Sequence, residues 1–160
     1  MDLRGEVVIN APAQAAWDVL GERFGHIGEW ATPITSSCLE GEPAVGAIRT
    51  CQFAGFGPFK AGTIQERLVE FEPAAMSLAY ESAEGMPRFV KSAVNRWSVH
   101  PRSEASCLVR THATLELRGP LRLVQFLLAW RLQADGASVL EDLRYQVEHG
   151  RPHPRKLAAT

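Results

Sequence analysis

The stretch GPLRLVQFLLAWRLQADGASVLEDLRYQVEHG, Gly119 to Gly150, is the one whose reading decides the fold. Leu121, Val124, Leu128 and Leu132, then Val139, Leu140, Leu143 and Val147, recur at helical spacing. Gly119-Pro120 opens the segment, and Gly150 is well placed to stop it. The pattern predicts a helix of roughly thirty residues, about 43 Å long. Gly136 interrupts it and is a candidate kink. A helix of this length with an apolar stripe needs a broad apolar surface to lie on.

Upstream, residues 34–117 are built to supply that surface. Short β-rich runs alternate with Gly, Pro and Glu clusters at the spacing of antiparallel hairpins. Strands are expected at about 34–40, 46–53, 61–71, 76–82, 89–100 and 105–117. Their separators include Gly41-Glu42-Pro43, Gly55-Phe56-Gly57-Pro58, Glu72-Pro73 and Glu84-Gly85-Met86-Pro87. Further back, Leu3 to Asn10 ends in Val7-Val8-Ile9 and reads as a first strand. Asn10-Ala11-Pro12 then starts a helix, with Asn10 or Ala11 at the cap and Pro12 in the first turn. Ala16, Val19, Leu20 and Phe24 continue at helical spacing, with Gly21 as a break between two short helices.

The order is strand, two short helices, six strands and one long helix. Short connections make the sheet an antiparallel meander rather than a parallel βαβ stack. The expected class is therefore α+β: a seven-stranded curved antiparallel sheet around the long C-terminal helix. Residues 1–149 read as one domain. Residues 150–160 have no periodicity and are expected to be disordered.

At 160 residues the chain can bury a core without disulfides or metal. The formal net charge of -1 gives no field that would gather nucleic acid or an anionic membrane. Cys38, Cys51 and Cys107 have no CxxC spacing and fall within expected strands, as reduced thiols do in a cytoplasmic protein. The N-terminal residues carry no apolar run of the secretory kind. Leu121 to Leu132 is broken by Arg122, Gln125 and Arg131, and is too short to span a bilayer.

The local sequence matches a known order of elements. Val8-Ile9-Asn10-Ala11-Pro12 is followed by Ala16-Trp17-Asp18-Val19-Leu20, then by Trp30. Val45-Gly46-Ala47-Ile48-Arg49 follows, with Gly62-Thr63-Ile64-Gln65-Glu66-Arg67-Leu68 leading into Phe71-Glu72-Pro73. Leu78-Ala79-Tyr80, Trp97-Ser98-Val99-His100-Pro101 and Leu140-Glu141-Asp142-Leu143 complete the set. Over roughly residues 3–149 the chain resembles the polyketide cyclase/dehydrase branch of the START-like superfamily, also called SRPBCC, helix-grip or Bet v 1-like. The resemblance implies a cavity for hydrophobic or amphipathic molecules between sheet and helix. It does not imply a reaction, because the superfamily shares no universal catalytic motif.

Strand alternation sorts the candidate site residues. On the sixth strand Phe89, Lys91, Ala93, Asn95, Trp97 and Val99 share one face; on the seventh Cys107, Val109, Thr111, Ala113, Leu115 and Leu117 share the more apolar face. Turned toward the helix, these faces place Lys91, Asn95, Trp97 and Thr111 around a cavity, with Trp30, Arg49 and Cys51 joining them. Arg49 or Lys91 could hold a carboxylate or enolate, and Asn95 or Thr111 could orient a carbonyl. Alternatively, Lys91 and Arg49 reach water along their own aliphatic stems. Loops in similar positions of helix-grip receptors fold over the cavity mouth, which makes Phe56, Phe59 and Met86 candidate rim residues.

Glu66 and Glu81 are expected on the solvated convex face, and His112 outside with Arg110 and Glu116. His149 and His153 have i, i+4 spacing, but Gly150, Pro152 and Pro154 forbid helix there, so no metal site is expected. No cofactor and no catalytic residues are assigned. The leading expectation is binding or transport of a small hydrophobic or aromatic molecule. A cyclase, aromatase or dehydratase acting in the same cavity is the alternative, favoured by a buried carboxylate beside Arg49 or Lys91. A co-chaperone-like protein-interaction role is the third. Exposed strand edges or Trp130 could support a homodimer.

Overall fold

Seven strands form: β1 (Asp2–Ile9), β2 (Ile34–Leu39), β3 (Ile48–Phe53), β4 (Gly62–Glu72), β5 (Ser77–Glu84), β6 (Val90–Ser103) and β7 (Ser106–Leu117). In the computed structural model, which describes residues 1–55, 60–119 and 125–159, they make one antiparallel sheet in the order β1-β7-β6-β5-β4-β3-β2. Strands β2 to β7 are the meander that the short turns require. Strand β1 joins it from outside, pairing Ile9 with Cys107 and Asp2 with Thr114. Register shifts at Gln65/Glu66 and Leu68/Glu70 mark irregularities in the β4–β5 pairing, a device that bends a sheet. The result is the curved α+β helix-grip architecture, covered on its inner face by helices.

The long helix α3 spans Gln125–His149 as one element. The expected start at Leu121 lies outside the described residues. Gly136 does not break the helix, and a side chain there would meet nothing within 4 Å. Gly150, at φ 66°, terminates it by donating its N–H to the Gln146 carbonyl. Helix α3 lies closest to β1, where Gly5 makes the approach possible: a Cβ at Gly5 would stand 2.6 Å from Leu140 Cδ1.

The segment after β1 holds the two expected short helices, joined otherwise than by a break at Gly21. Helix α1 (Ala13–Trp17) continues as one wide π turn, Asp18–Glu22, before a 3-10 turn and helix α2 (Ile27–Trp30). Pro12 occupies the cap, while the Asn10 N–H is taken by the Glu148 carboxylate of α3 at 2.7 Å. Gly21 is part of the π turn rather than a break, because the Trp17 indole lies against it, 2.4 Å from where a Cβ would be. Trp17 in turn donates to Glu22 at 2.9 Å.

Within residues 150–160, where disorder is expected, the described part, 150–159, carries secondary structure. Pro154–Ala158 form a short helix, α4, that turns back toward α3 and β2. Arg155 donates to the fully buried Asp142 at 2.7 Å and to the Ser138 carbonyl at 2.5 Å, and Lys156, itself buried, donates to the Ile34 carbonyl. Five residues held by charged hydrogen bonds leave no apolar period for a sequence reading to find.

The buried core divides in two. One cluster gathers Ile9, Trp17, Phe24, Trp30, Leu68 and Trp97 with their neighbours at the α1–α2 end. The other gathers Phe53, Val90, Leu115, Leu117 and Leu132, with Met86 and Phe89 at its margin.

Candidate functional site

Between the two clusters the inner face of the sheet changes character. Along β7 the inward residues run Cys107 and Val109 buried, Thr111 and Ala113 half-buried, then Leu115 and Leu117 buried again. The same opening crosses β6 at Ala93 and Asn95, β5 at Tyr80 and Ser82, and β4 at Ile64 and Glu66. The inward side chains in the middle of the sheet thus remain partly accessible, while those on either side along β6 and β7 are buried.

The polar groups of this zone form a stripe across five strands. Arg49 and Glu66 are cross-strand partners on β3 and β4, as are Tyr80 and Asn95 on β5 and β6. Arg49, only 2% exposed, donates to Glu66 Oε2 through Nε at 2.9 Å and Nη2 at 2.5 Å, and to the Phe24 carbonyl through Nη1 at 2.7 Å. Its guanidinium also lies 3.8 Å over the Phe24 ring and 5.0 Å from that of Tyr80. Burial works against this charge. Glu66, Tyr80 and Cys51 outweigh it and hold Arg49 above its usual value.

The rest of the stripe is neutral. Thr111 donates its hydroxyl to Asn95 Oδ1 at 2.8 Å, and Asn95 Nδ2 donates to the Tyr80 oxygen at 3.0 Å. In this direction of donation the Tyr80 proton is left to point onward. Burial first, and then the Glu66 charge, push the Tyr80 phenol up to about 12, so it is a neutral donor at physiological pH. The same two causes push the Cys51 thiol up to about 12, with its Sγ 3.6 Å from Glu66 Oε2. Cys51 is thus a protonated core thiol rather than a nucleophile.

Where the stripe meets α2, a small pocket remains, lined by Trp30, Phe24, Arg49, Leu78, Tyr80 and Trp97 among others. Its volume of about 10 Å³ is room for one water-sized atom. Trp30 and Trp97 are 3% and 5% exposed, and neither indole N–H has a hydrogen-bond acceptor among the described residues. Trp97 Nε1 lies near the Tyr80 oxygen, close enough to favour its ionised form but outside hydrogen-bond geometry. An unmet buried donor costs about 1–3 kcal/mol, and these two stand together at one pocket, whereas Thr32 Oγ1 and Gln146 Oε1, also without a partner, do not line it.

A larger groove of about 640 Å³ is lined chiefly by outer-face residues, Arg4, Arg96, Arg110 and His112 among them, and also touches Gly5, Leu78, Trp97 and Thr111. Here Arg96 pairs with Glu70, Arg110 with Glu6 and His112 with Asp2, all at exposed positions. Such pairs neutralise one another in water and do not converge on a ligand.

Of the residues expected to surround a cavity, Arg49, Cys51, Asn95, Trp97 and Thr111 lie on the inner face, and Trp30 caps one end of it. Met86 sits beside the second apolar cluster. Phe56 and Phe59 lie outside the described residues. Lys91 does not face the interior. The β6–β7 register shifts between Val90 and Ser92, so Val90 takes the inward position and Lys91 turns out to pair with Glu116 at 2.8 Å. Glu66 reverses the expectation for it, being 15% exposed beside Arg49 rather than on the convex face. Tyr80 joins the site without having been a sequence candidate. Both were within reach of strand alternation, through Ile64-Glu66-Leu68 and Leu78-Tyr80-Ser82. Outside this zone, His149 stacks on Tyr145 at 4.1 Å.

Comparison with known proteins agrees with the architecture. Residues 1–148 match a family model described as "Polyketide cyclase / dehydrase and lipid transport". No curated protein matches the chain by sequence. Among solved structures, the Zhui aromatase/cyclase from Streptomyces sp. R1128 is similar with a TM-score of 0.75 and 16% identity, covering 92% of this chain and 93% of that one. A protein from Thermus thermophilus gives a TM-score of 0.73 at 20% identity, over 100% and 99% of the two chains. Norcoclaurine synthase from Thalictrum flavum gives 0.69 at 15% identity, over 93% and 94%. At these identities the likeness establishes the fold.

Proposed function

Because the chain belongs to the polyketide cyclase/dehydrase and lipid transport family, we propose that it binds a small hydrophobic or amphipathic molecule between its sheet and α3. The observation that carries this reading is the polar stripe, Arg49–Glu66 and Tyr80–Asn95–Thr111, buried at Arg49 and half-buried beyond it, set between two apolar clusters. Apolar walls with a few converging polar groups are what a small-molecule site requires. The apolar body of the ligand would lie against the clusters, and its polar group would meet the stripe. Among the described residues, no helix is long and apolar enough to cross a membrane.

Native mass spectrometry of the purified protein, followed by solvent extraction, tests the reading. A stoichiometric adduct that is lost in Asn95→Ala or Trp97→Ala is the expected result. An empty protein, with no thermal shift against a panel of lipids and aromatic molecules, would overturn it.

A second reading, catalysis of the cyclase or dehydratase type on the bound molecule, is favoured by Glu66 beside Arg49. The fold shared with an aromatase/cyclase and a norcoclaurine synthase is compatible with it. The Glu66 carboxylate could take a proton from an acidified carbon while Tyr80 donates to an oxygen. Extracts from the wild type and from Glu66→Gln decide between the two readings. Identical ligands support a carrier, and ligands differing by one water or by a ring closure support an enzyme.

A further inference from the structure

The pocket at the α2 end of the stripe carries the donor-bearing residues Trp30, Tyr80 and Trp97 within a largely apolar lining. Trp30 and Trp97 bring indole N–H groups that have no acceptor among the described residues. Tyr80 accepts from Asn95, which leaves its hydroxyl proton to donate. Of the two cations that line it, Arg49 is compensated by Glu66 and fixed to the Phe24 carbonyl, and Arg23 is paired with Glu29. A carboxylate ligand would have to displace one of these pairings or stand near the Glu66 charge. A neutral oxygen acceptor meets neither obstacle and satisfies the two open indoles.

We infer that this pocket is an oxygen subsite: it takes the neutral carbonyl oxygen of the ligand, held by the Trp30 and Trp97 indole N–H groups. The volume of about 10 Å³ is room for one water-sized atom, so a carbonyl oxygen enters while the ring or chain bearing it lies along the stripe, which adjoins the pocket at Arg49 and Tyr80. The ligand class is thus an aryl ketone, a quinone or a related carbonyl compound rather than a fatty acid. The inference rests on the interior being a ligand site, and it specifies the orientation and chemistry of what sits there.

The tryptophans supply their own controls. Trp17 is already bonded to Glu22, and Trp130 is 78% exposed on α3, so neither should respond to a ligand in the pocket. Isotope-labelled protein is titrated with α-tetralone and, separately, with tetralin, which has the same rings without the oxygen. Indole N–H correlation spectra and calorimetry are recorded for both. The expected result is that α-tetralone binds about tenfold tighter than tetralin and moves the Trp30 and Trp97 indole protons downfield. The Trp17 and Trp130 signals stay in place. In Trp30→Phe, which keeps the ring and removes the donor, the advantage of the ketone shrinks while tetralin binds as before.

Equal affinity for the two probes, or ketone binding that leaves the Trp30 and Trp97 signals unmoved, overturns the oxygen subsite while the ligand site stands. Binding of neither probe overturns both. The wild-type titration separates these outcomes even if Trp30→Phe fails to fold.

Discussion

Tyr80 is a phenol held neutral by its surroundings, and that has a cost in alkali. Its folded-state value of about 12 lies above the ordinary value near 10, so the native state binds the proton more tightly than the unfolded chain does. The stabilisation is therefore complete below about pH 10 and is lost as pH rises toward 12. A difference of about two units corresponds to ~3 kcal/mol. Tyr80→Phe lacks the titration and the bond from Asn95, so it should start less stable at pH 8. It should then close that gap and overtake the wild type by pH 12, as followed by urea unfolding across the range. Parallel curves for the two proteins would show that burial does not hold the phenol neutral.

Arg49 and Glu66 make a second residue-scale case. Breaking a buried pair costs ~3–5 kcal/mol because one charge is stranded, while replacing both partners with apolar groups can be nearly neutral. Glu66→Gln should fall at the lower end of that range, since Glu66 retains 15% exposure and glutamine can still accept from Arg49. Arg49→Met alone should cost less, because Glu66 can turn to solvent. Arg49→Met/Glu66→Leu should recover most of the loss in urea unfolding. A double variant as stable as the wild type would indicate that the pair is kept for what it contacts rather than for stability.

At the scale of elements, α4 acts as a strap from the end of α3 to the start of β2. Asp142 is fully buried and receives both Arg155 and the Thr32 amide, which binds α3, α4 and the α2–β2 loop into one network. Truncation after Gly150 should strand the Asp142 carboxylate and cost about 3 kcal/mol. Amide exchange at Thr32 should accelerate with it, because its acceptor is no longer held in place. Unchanged protection at Thr32 would mean that the loop is ordered without the strap. This element is illegible in the sequence for a physical reason, since polar anchoring leaves no period. The strands are legible because their apolar alternation is dictated by one buried face, and β7 follows it without a slip. The same rule fails on β6 at Lys91, where one bulged residue reverses which side chains point inward, a shift that no local pattern announces. Glu66 reads as a surface residue because its acidity outweighs its position between Ile64 and Leu68. Only the pairing of β3 with β4 shows that Arg49 is there to receive it.

At the scale of the molecule, the question is whether the space between sheet and helix is open or packed, and a small residue in its middle can decide. Ala113 faces inward on β7 directly opposite Asn95, half-buried, between the buried Val109 and Leu115. If the interior were filled to ordinary density, Ala113→Phe would force side chains off their rotamers and cost about 1–3 kcal/mol. For a domain of this size that is a fall in Tm of roughly 2–12 °C. If the space is open, the phenyl ring enters it, burying apolar surface at little strain, and Tm should hold or rise. The two cases part again on ligand uptake. A ring occupying the space should abolish the thermal shift given by α-tetralone, whereas Ala113→Ser, which adds almost no volume, should retain it. A stable Ala113→Phe that no longer responds to the ketone would locate the ligand between β7 and α3. A destabilised variant that still responds would move the binding space elsewhere in the fold.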